Sequence, residues 1–288
     1  MRLLAIIAGS LMALATIILM TRIWGMGQSF SVYEHPFFSQ PSPTLVVSAK
    51  DLKEANSVVQ ALPEAVLWLD VRFSKDKEVF VLTSKEDSRF LNDRRTRQEA
   101  NPQTPIYTSG RLAEYNWEDI HGFFPETSLL NEFYQAHPKT RFILNVVDNV
   151  SDAHTTLVNH LEKSKPNERT LIQSEALILM TAIKDLKPEW LYGTSKPDIM
   201  RFLSFDAMWI LPAVQFKGDV VILPFKVSNR PAFNIEILQE MKRRHKKILL
   251  GPLLSKEELQ TAEELSVDGY IFRNFEEFHQ WLGQSPAK

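Results

Sequence analysis

Asp70 closes the run Val66-Leu67-Trp68-Leu69-Asp70, which places a carboxylate at the end of an apolar stretch with strand character. A carboxylate there can hold a cation, orient a proton or accept hydrogen bonds from its neighbours. Several other residues could share its chemistry. Lys50 follows Leu45–Ala49 much as Asp70 follows its own run, and a lysine there can take a phosphate or a carboxylate. Asp148 ends another such run and, with Asn149 and Asp152, offers oxygen ligands. The competing reading is that Asp148 or Ser151 caps a helix starting there. His121, in a long polar segment, is the histidine best placed to act as acid or base. Arg94, Arg95 and Arg97 cluster in that segment and suit an anionic headgroup. Each has a plainer account as well: Asp70 pairing with Lys50 or Arg72, and loop cations facing solvent.

Other chemistries are excluded. With no cysteine there is no disulfide, thiolate metal site or cysteine nucleophile. The seven histidines show no metal-ligand spacing, and His154 and His160 lie too far apart to share a helix face. Glycine-rich phosphate loops and a GxSxG elbow are absent. A net charge of −2 gives no pull toward nucleic acid, and Trp117, Trp190 and Trp209 read as packing residues. The most basic run, Lys242-Arg243-Arg244-His245-Lys246-Lys247, closes a helix just before a strand. Cations there favour the helix C-terminus. Contact with anionic lipid would instead require the underside of the fold to meet a membrane.

The elements that would position these residues alternate. Strands are predicted over Leu45–Ser48, Val66–Phe73, Arg141–Val147, Thr170–Gln173, Trp190–Gly193, Asp219–Leu223, Ile248–Leu250 and Gly269–Phe272. Most are continuous apolar runs, as parallel strands covered on both faces require. Helical patterns fill Asp51–Leu62, Leu129–Ala136, Ser151–Lys163, Ser174–Leu186, Phe233–His245 and Lys256–Leu265, with Ser174 as an N-cap and Ser255 with Glu258 as a capping box. This β-α order predicts an α/β fold, a (β/α)8 TIM barrel over residues 44–284, with a doubly wound open sheet as the alternative. The polar segment 86–122 interrupts the rhythm after a strand's C-terminal end, where barrel sites lie, and reads as a lid or recognition loop.

Leu3 to Met20 is an uncharged apolar run of 18 residues between Arg2 and Arg22, followed by Trp24. That length suits a transmembrane helix, with Arg22 and Trp24 at the interface. Residues 1–24 are therefore predicted to form a membrane anchor, a cleaved signal segment being the alternative. Residues 25–43, rich in Gly, Ser, Gln and Pro, read as a tether. The charge flanks favour an inside N-terminus, a single pass and an extracytoplasmic barrel.

Leu67–Ser84, with its Asp76 turn and valine-rich second strand, resembles the signature hairpin of the glycerophosphodiester phosphodiesterases, a family of the PLC-like phosphodiesterase superfamily. Phe124-Pro125-Glu126-Thr127 resembles the family's proline-led helix entry, and Val267-Asp268-Gly269-Tyr270-Ile271 its Gly-Val-Asp-Gly-Ile strand. The resemblance implies a TIM barrel, phosphoric diester hydrolysis in lipid metabolism and a divalent cation such as Ca²⁺ or Mg²⁺. It also implies catalytic groups that are missing. Trp68 stands for a metal-binding glutamate, and Asp70 matches the aspartate. Ser48 or Ala49 occupies the first histidine position, Thr83 and Ser84 stand for the second histidine and its aspartate, and Val146 and Asp148 replace Glu and Lys.

Phosphodiester hydrolysis needs charge neutralisation at the phosphoryl oxygens together with an acid and a base. Threonine and serine do not supply that proton transfer unaided. The expectation is a membrane-anchored pseudoenzyme with no catalytic residue, metal or cofactor, which binds an anionic lipid-derived or phosphodiester ligand or a protein partner. The alternative is a divergent, active phosphodiesterase using Asp70 with Asp148, His121 and a loop arginine.

Overall fold

The computed structural model describes residues 2–32, 34–40, 42–83, 112–164, 166–227 and 229–282. Arg94, Arg95, Arg97 and Ser84 lie outside the described residues, as does the segment 86–122 up to residue 111.

The strands are β1 (Thr44–Ser48), β2 (Val66–Phe73), β3 (Val79–Val81), β4 (Ser128–Leu129), β5 (Arg141–Val146), β6 (Thr170–Gln173), β7 (Leu191–Tyr192), β8 (Val220–Leu223), β9 (Lys226–Val227), β10 (Arg230–Pro231), β11 (Lys247–Leu253) and β12 (Gly269–Phe272). Eight of them run in parallel in the order β7-β6-β5-β2-β1-β12-β11-β8, while β3 and β4 extend β2 antiparallel and β9 and β10 form a separate ribbon. A backbone hydrogen bond and two side chains close the eighth seam. Asp219 N–H donates to Tyr192 O (2.8 Å) and Asp219 Oδ2 accepts from Tyr192 N–H (3.1 Å). Thr194 Oγ1 accepts from Ile222 N–H (2.8 Å) and donates to Ile222 O (2.9 Å). The sheet is thus a barrel, not an open sheet. Val46, Ile143, Leu171, Leu191, Leu249 and Ile271 fill its interior. The alternate residues, Val47, Leu67, Leu144, Ile172, Val221 and Phe272 among them, pack outward beneath the helices. Burial on both faces accounts for the unbroken apolar runs.

The helices are α1 (Arg2–Met26), α2 (Leu52–Ala61), α3 (Trp117–Phe123), α4 (Leu130–Ala136), α5 (Ala153–Glu162), α6 (Leu177–Leu186), α7 (Lys196–Ala207), α8 (Ile235–Arg243), α9 (Lys256–Glu264) and α10 (Phe275–Leu282). Helix α7 escapes the apolar periodicity but carries a complete capping box. Ser195 Oγ accepts from Asp198 N–H (3.4 Å) and Asp198 Oδ2 from Ser195 N–H (3.2 Å), with a proline in the first turn. Ser195→Ala is expected to lower stability by about 1 kcal/mol, read as a lower urea midpoint at unchanged slope.

Ser174 does not cap α6. Its Oγ donates to Val146 O (2.7 Å) and accepts from Ala176 N–H (3.2 Å), bracing β5 against the turn after β6, and the helix starts later, at Leu177. Ser255 does cap α9, accepting from Glu258 N–H (3.3 Å).

Helix α1 is long and apolar enough to cross a membrane. Its side chains are exposed from residue 2 to residue 17, and only its C-terminal end touches the barrel. The expected tether is not a free linker. The 3-10 turn Pro36–Phe38 drives Phe37, fully buried, into the interior cluster at the barrel's underside. Arg141 Nη1 donates to Phe37 O (2.7 Å) and pins the turn there. An aromatic side chain inserted between strand starts makes this segment part of the barrel floor.

Candidate functional site at the barrel mouth

Strand alternation decides which side chains face the mouth. In β2 the row Val66, Trp68, Asp70, Arg72 points inward, while Leu67, Leu69, Val71 and Phe73 belong to the outer layer. In β1, Val46 faces in and Ala49 out, so Ser48, not Ala49, takes the inward position expected for the first histidine. In β5 the same rule corrects the expected placement of Val146, which packs in the outer layer. The inward residue is Asn145, and the register sets Asp70 opposite Asn145 and Asn145 opposite Gln173. Three polar side chains on adjacent strands therefore form a belt at one level of the mouth.

Asp70 is half-buried, and one of its oxygens is already engaged. Oδ1 accepts from Asn145 Nδ2 (2.8 Å) and from Trp68 Nε1–H (3.1 Å). The expected alternative pairing of Asp70 with Lys50 or Arg72 is not what the structure shows. Lys50 is exposed, with its backbone N–H donating to Glu54 Oε2 (3.1 Å). Arg72, fully buried, donates to Leu82 O (3.1 Å) from Nε and to Asp148 Oδ1 (3.1 Å) from Nη1. Asp148 Oδ2 also accepts from Phe73 N–H (3.2 Å). Asp148 is thus the counter-charge of a buried guanidinium, which corrects the helix-cap reading, because a buried cation needs its partner more than a helix end does. Asp152 is the N-cap residue of α5, without a side-chain cap bond, and pairs with Lys77 at the surface (3.3 Å).

Gln173 extends the belt. Its Nε2 donates to Thr194 O (2.5 Å), and its buried Oε1 has no hydrogen-bond partner among the described residues. Gly193 makes room for it: a Cβ there would lie 2.1 Å from Oε1.

His121 is not in a loop, because residues 112–122 are largely structured. Helix α3 lies over the β2–β3 hairpin, with Trp117 N–H donating to Asp76 Oδ1 (2.9 Å) and the Trp117 ring 5.3 Å from Phe80. His121 stacks on Trp117 (5.0 Å) and meets Thr127 Oγ1 through Nδ1 (3.4 Å). Its partners are thus those of the hairpin cover, and the structure joins it to neither Asp70 nor Asp148. Of the candidates, Asp70 shares the inward row of β2 with Arg72, whose partner Asp148 follows β5, and Lys50 stands at the rim. Asn145 and Gln173 were missed as site residues. The signal available was a lone polar residue in each apolar stretch, Asn145 between Leu144 and Val146 and Gln173 after Ile172.

These residues do not fit a divalent cation. Such an ion needs several oxygen ligands, commonly more than one carboxylate. Among the described residues no group of three or more His, Cys, Asp or Glu side chains could hold a metal ion. Beside Asp70, an indole N–H and an amide N–H₂ both point donors at Oδ1, where a cation would compete with them.

No protein-family profile and no curated protein matches the sequence. Solved structures do match in fold. The glycerophosphoryl diester phosphodiesterase domain of a Mycobacterium tuberculosis protein superposes with a TM-score of 0.63 at 10% identity, over 84% of this chain and 100% of that one. An Oleispira antarctica phosphodiesterase, solved with the product sn-glycerol-3-phosphate, gives 0.58 at 12% identity, over 88% and 100%. The glycerophosphodiester phosphodiesterase of Thermotoga maritima gives 0.53 at 15% identity, over 85% and 100%. The chain has the barrel fold of these enzymes at a divergent level of sequence.

Proposed function

We propose that this barrel, on the scaffold of the glycerophosphodiester phosphodiesterases, is anchored by α1 in a membrane, does not hydrolyse phosphodiesters, and uses its mouth as a binding surface. The state of Asp70 carries the reading. The one carboxylate that matches a site residue of those enzymes has an oxygen occupied by Trp68 and Asn145 donors. Among the described residues no group of three or more histidine or carboxylate side chains could hold a metal ion. The belt of Asp70, Asn145 and Gln173 can hydrogen-bond a polar ligand but cannot supply an acid–base pair. The ligand class is an anionic lipid-derived or phosphodiester group or a protein partner. The N-terminus is inside and the barrel extracytoplasmic, following the charge flanks of α1.

Cation binding tests the reading. Thermal melting of the full-length protein in detergent is expected to be unmoved by millimolar Ca²⁺ or Mg²⁺. A rise of several degrees that Asp70→Asn abolishes would show ligation at the mouth and overturn it.

A further inference from the structure

If α1 is a membrane anchor, its joint with the barrel fixes which end of the barrel meets the bilayer. Gly25 lies against the backbone of Pro212 and Ala213, and a Cβ there would stand 2.3 Å from the Pro212 carbonyl carbon. Arg22 Nη1 donates to Trp209 O (2.8 Å), and the guanidinium stands 4.3 Å from the centre of the Trp209 ring system. Arg243 caps the end of α1, donating to Gly25 O (3.2 Å), Met26 O (3.4 Å) and Gln28 O (2.9 Å). Phe30 packs under the guanidinium groups of Arg243 (5.1 Å) and Arg244 (4.9 Å). The barrel-side partners lie where helices lead into strands, Trp209–Ala213 in the connection before β8, and Arg243 and Arg244 at the C-terminal end of α8 before β11. They therefore sit at the N-terminal ends of the strands, opposite Asp70.

This joint is close to where the apolar run ends. Arg22 is two residues beyond Met20, a rise of about 3 Å along the helix. Trp209, bonded to Arg22, therefore stands where acyl chains give way to headgroups. Large side chains are displayed at that level: Trp24 is 60%, Met208 48% and Trp209 63% exposed. Trp209 has φ 63°, a conformation that bulky residues seldom take, in the turn that follows α7. Indole rings at a membrane surface bury an apolar body while keeping a donor wet.

We propose that the underside of the barrel lies on the bilayer, with Met208 and Trp209 seated in the interface beside α1 and the mouth around Asp70 opening away from that membrane. Asp70 is four residues up β2 from Val66, about 13 Å of strand, and the Phe37 floor lies beneath. Headgroups of the anchoring leaflet do not reach the mouth, so its ligand arrives from the aqueous side.

The chain has no cysteine, so single substitutions accept one spin label each. Met12→Cys lies within α1, Met208→Cys on the underside, and Leu254→Cys on the exposed turn after β11 at the mouth end. Gln215→Cys, exposed in the same connection as Trp209, is a second underside probe should Met208→Cys not fold. Full-length protein is placed in phosphatidylcholine–phosphatidylglycerol vesicles, and accessibility to oxygen and to an aqueous nickel chelate is measured. The expected oxygen-to-chelate ratio is highest at 12, intermediate at 208 and several-fold lower at 254. A label at 208 as accessible to chelate as the one at 254, with 12 still in lipid, overturns the orientation and leaves the anchor intact. A chelate-accessible label at 12 overturns the anchor and the orientation together.

Discussion

Glu240→Ala is expected to cost about 3–5 kcal/mol of stability, because it leaves a buried guanidinium without its counter-charge. Glu240 Oε1 accepts from Arg244 Nε (2.6 Å) and Arg243 Nη2 (2.7 Å), and Oε2 from Arg243 Nε (2.9 Å). Arg244 is buried and also donates to Val214 O (2.7 Å) and Pro212 O (2.9 Å), holding in place the turn that α1 rests on. The double variant Glu240→Ala/Arg244→Met is expected to recover much of the loss, since it removes the orphaned charge. Urea unfolding of both variants checks this. A loss below about 1 kcal/mol in the single variant would mean that the triad is solvated like a surface pair.

The same group sets a pH dependence. Burial raises the Glu240 carboxyl, but hydrogen bonds from Arg243 and Arg244 and their charges outweigh it and hold the group below its ordinary value of 4.5. A carboxyl lowered in the folded state adds stability that is complete above the unfolded value. That stability is lost as pH falls from 4.5 through the lowered native value. The acid limb of the stability curve below pH 4.5 is therefore expected to flatten in Glu240→Gln.

Phe37→Ala carries the second large effect. The ring is fully buried among Val46, Val66, Ile143 and their neighbours at the barrel floor. Removing it creates a cavity that the strand starts cannot close without opening the sheet, at a cost of about 3–5 kcal/mol. The turn is held independently by the Arg141 bond to Phe37 O and by His35 Nδ1, which accepts from Phe37 N–H (3.1 Å). The loss should therefore appear as a lower denaturant midpoint, with α1 still joined to the barrel. An unchanged midpoint would mean that residues 25–43 are the dispensable tether their composition suggests.

The barrel was legible because its strands are short, continuous and apolar, and each of the eight runs forms a strand at or near the expected bounds. What faced the mouth was less legible. Choosing between Val146 and Asn145, or between Ser48 and Ala49, requires knowing which row of each strand points inward, and a run apolar on both faces hides that row. Helix α7 was missed because Lys196, Pro197 and Asp198 look like loop residues until Ser195 and Asp198 are seen as a capping box. The Pro and Ser content of residues 25–43 suggests a tether, whereas the buried Phe37 of the Phe37-Phe38 pair fixes the segment to the barrel floor. The basic run could not disclose its partners from sequence. In the fold Arg243 and Arg244 are spent on Glu240, the end of α1 and the turn before β8, Lys246 on Gly218 O (2.9 Å) and Lys247 on Asp268 (2.9 Å). One contact of the mouth is legible as spacing: Trp68 and Asp70 stand two apart, so on a strand they share a face, and the indole N–H donates to the carboxylate.

Turnover tests the central claim most directly. Full-length protein and its Asp70→Ala variant are incubated with glycerophosphodiesters in Ca²⁺ or Mg²⁺, and release of glycerol 3-phosphate is followed. The expected result is no release above the protein-free control for either protein. Release by the parent chain that Asp70→Ala abolishes would contradict the account and return the barrel to the working phosphodiesterases whose fold it shares.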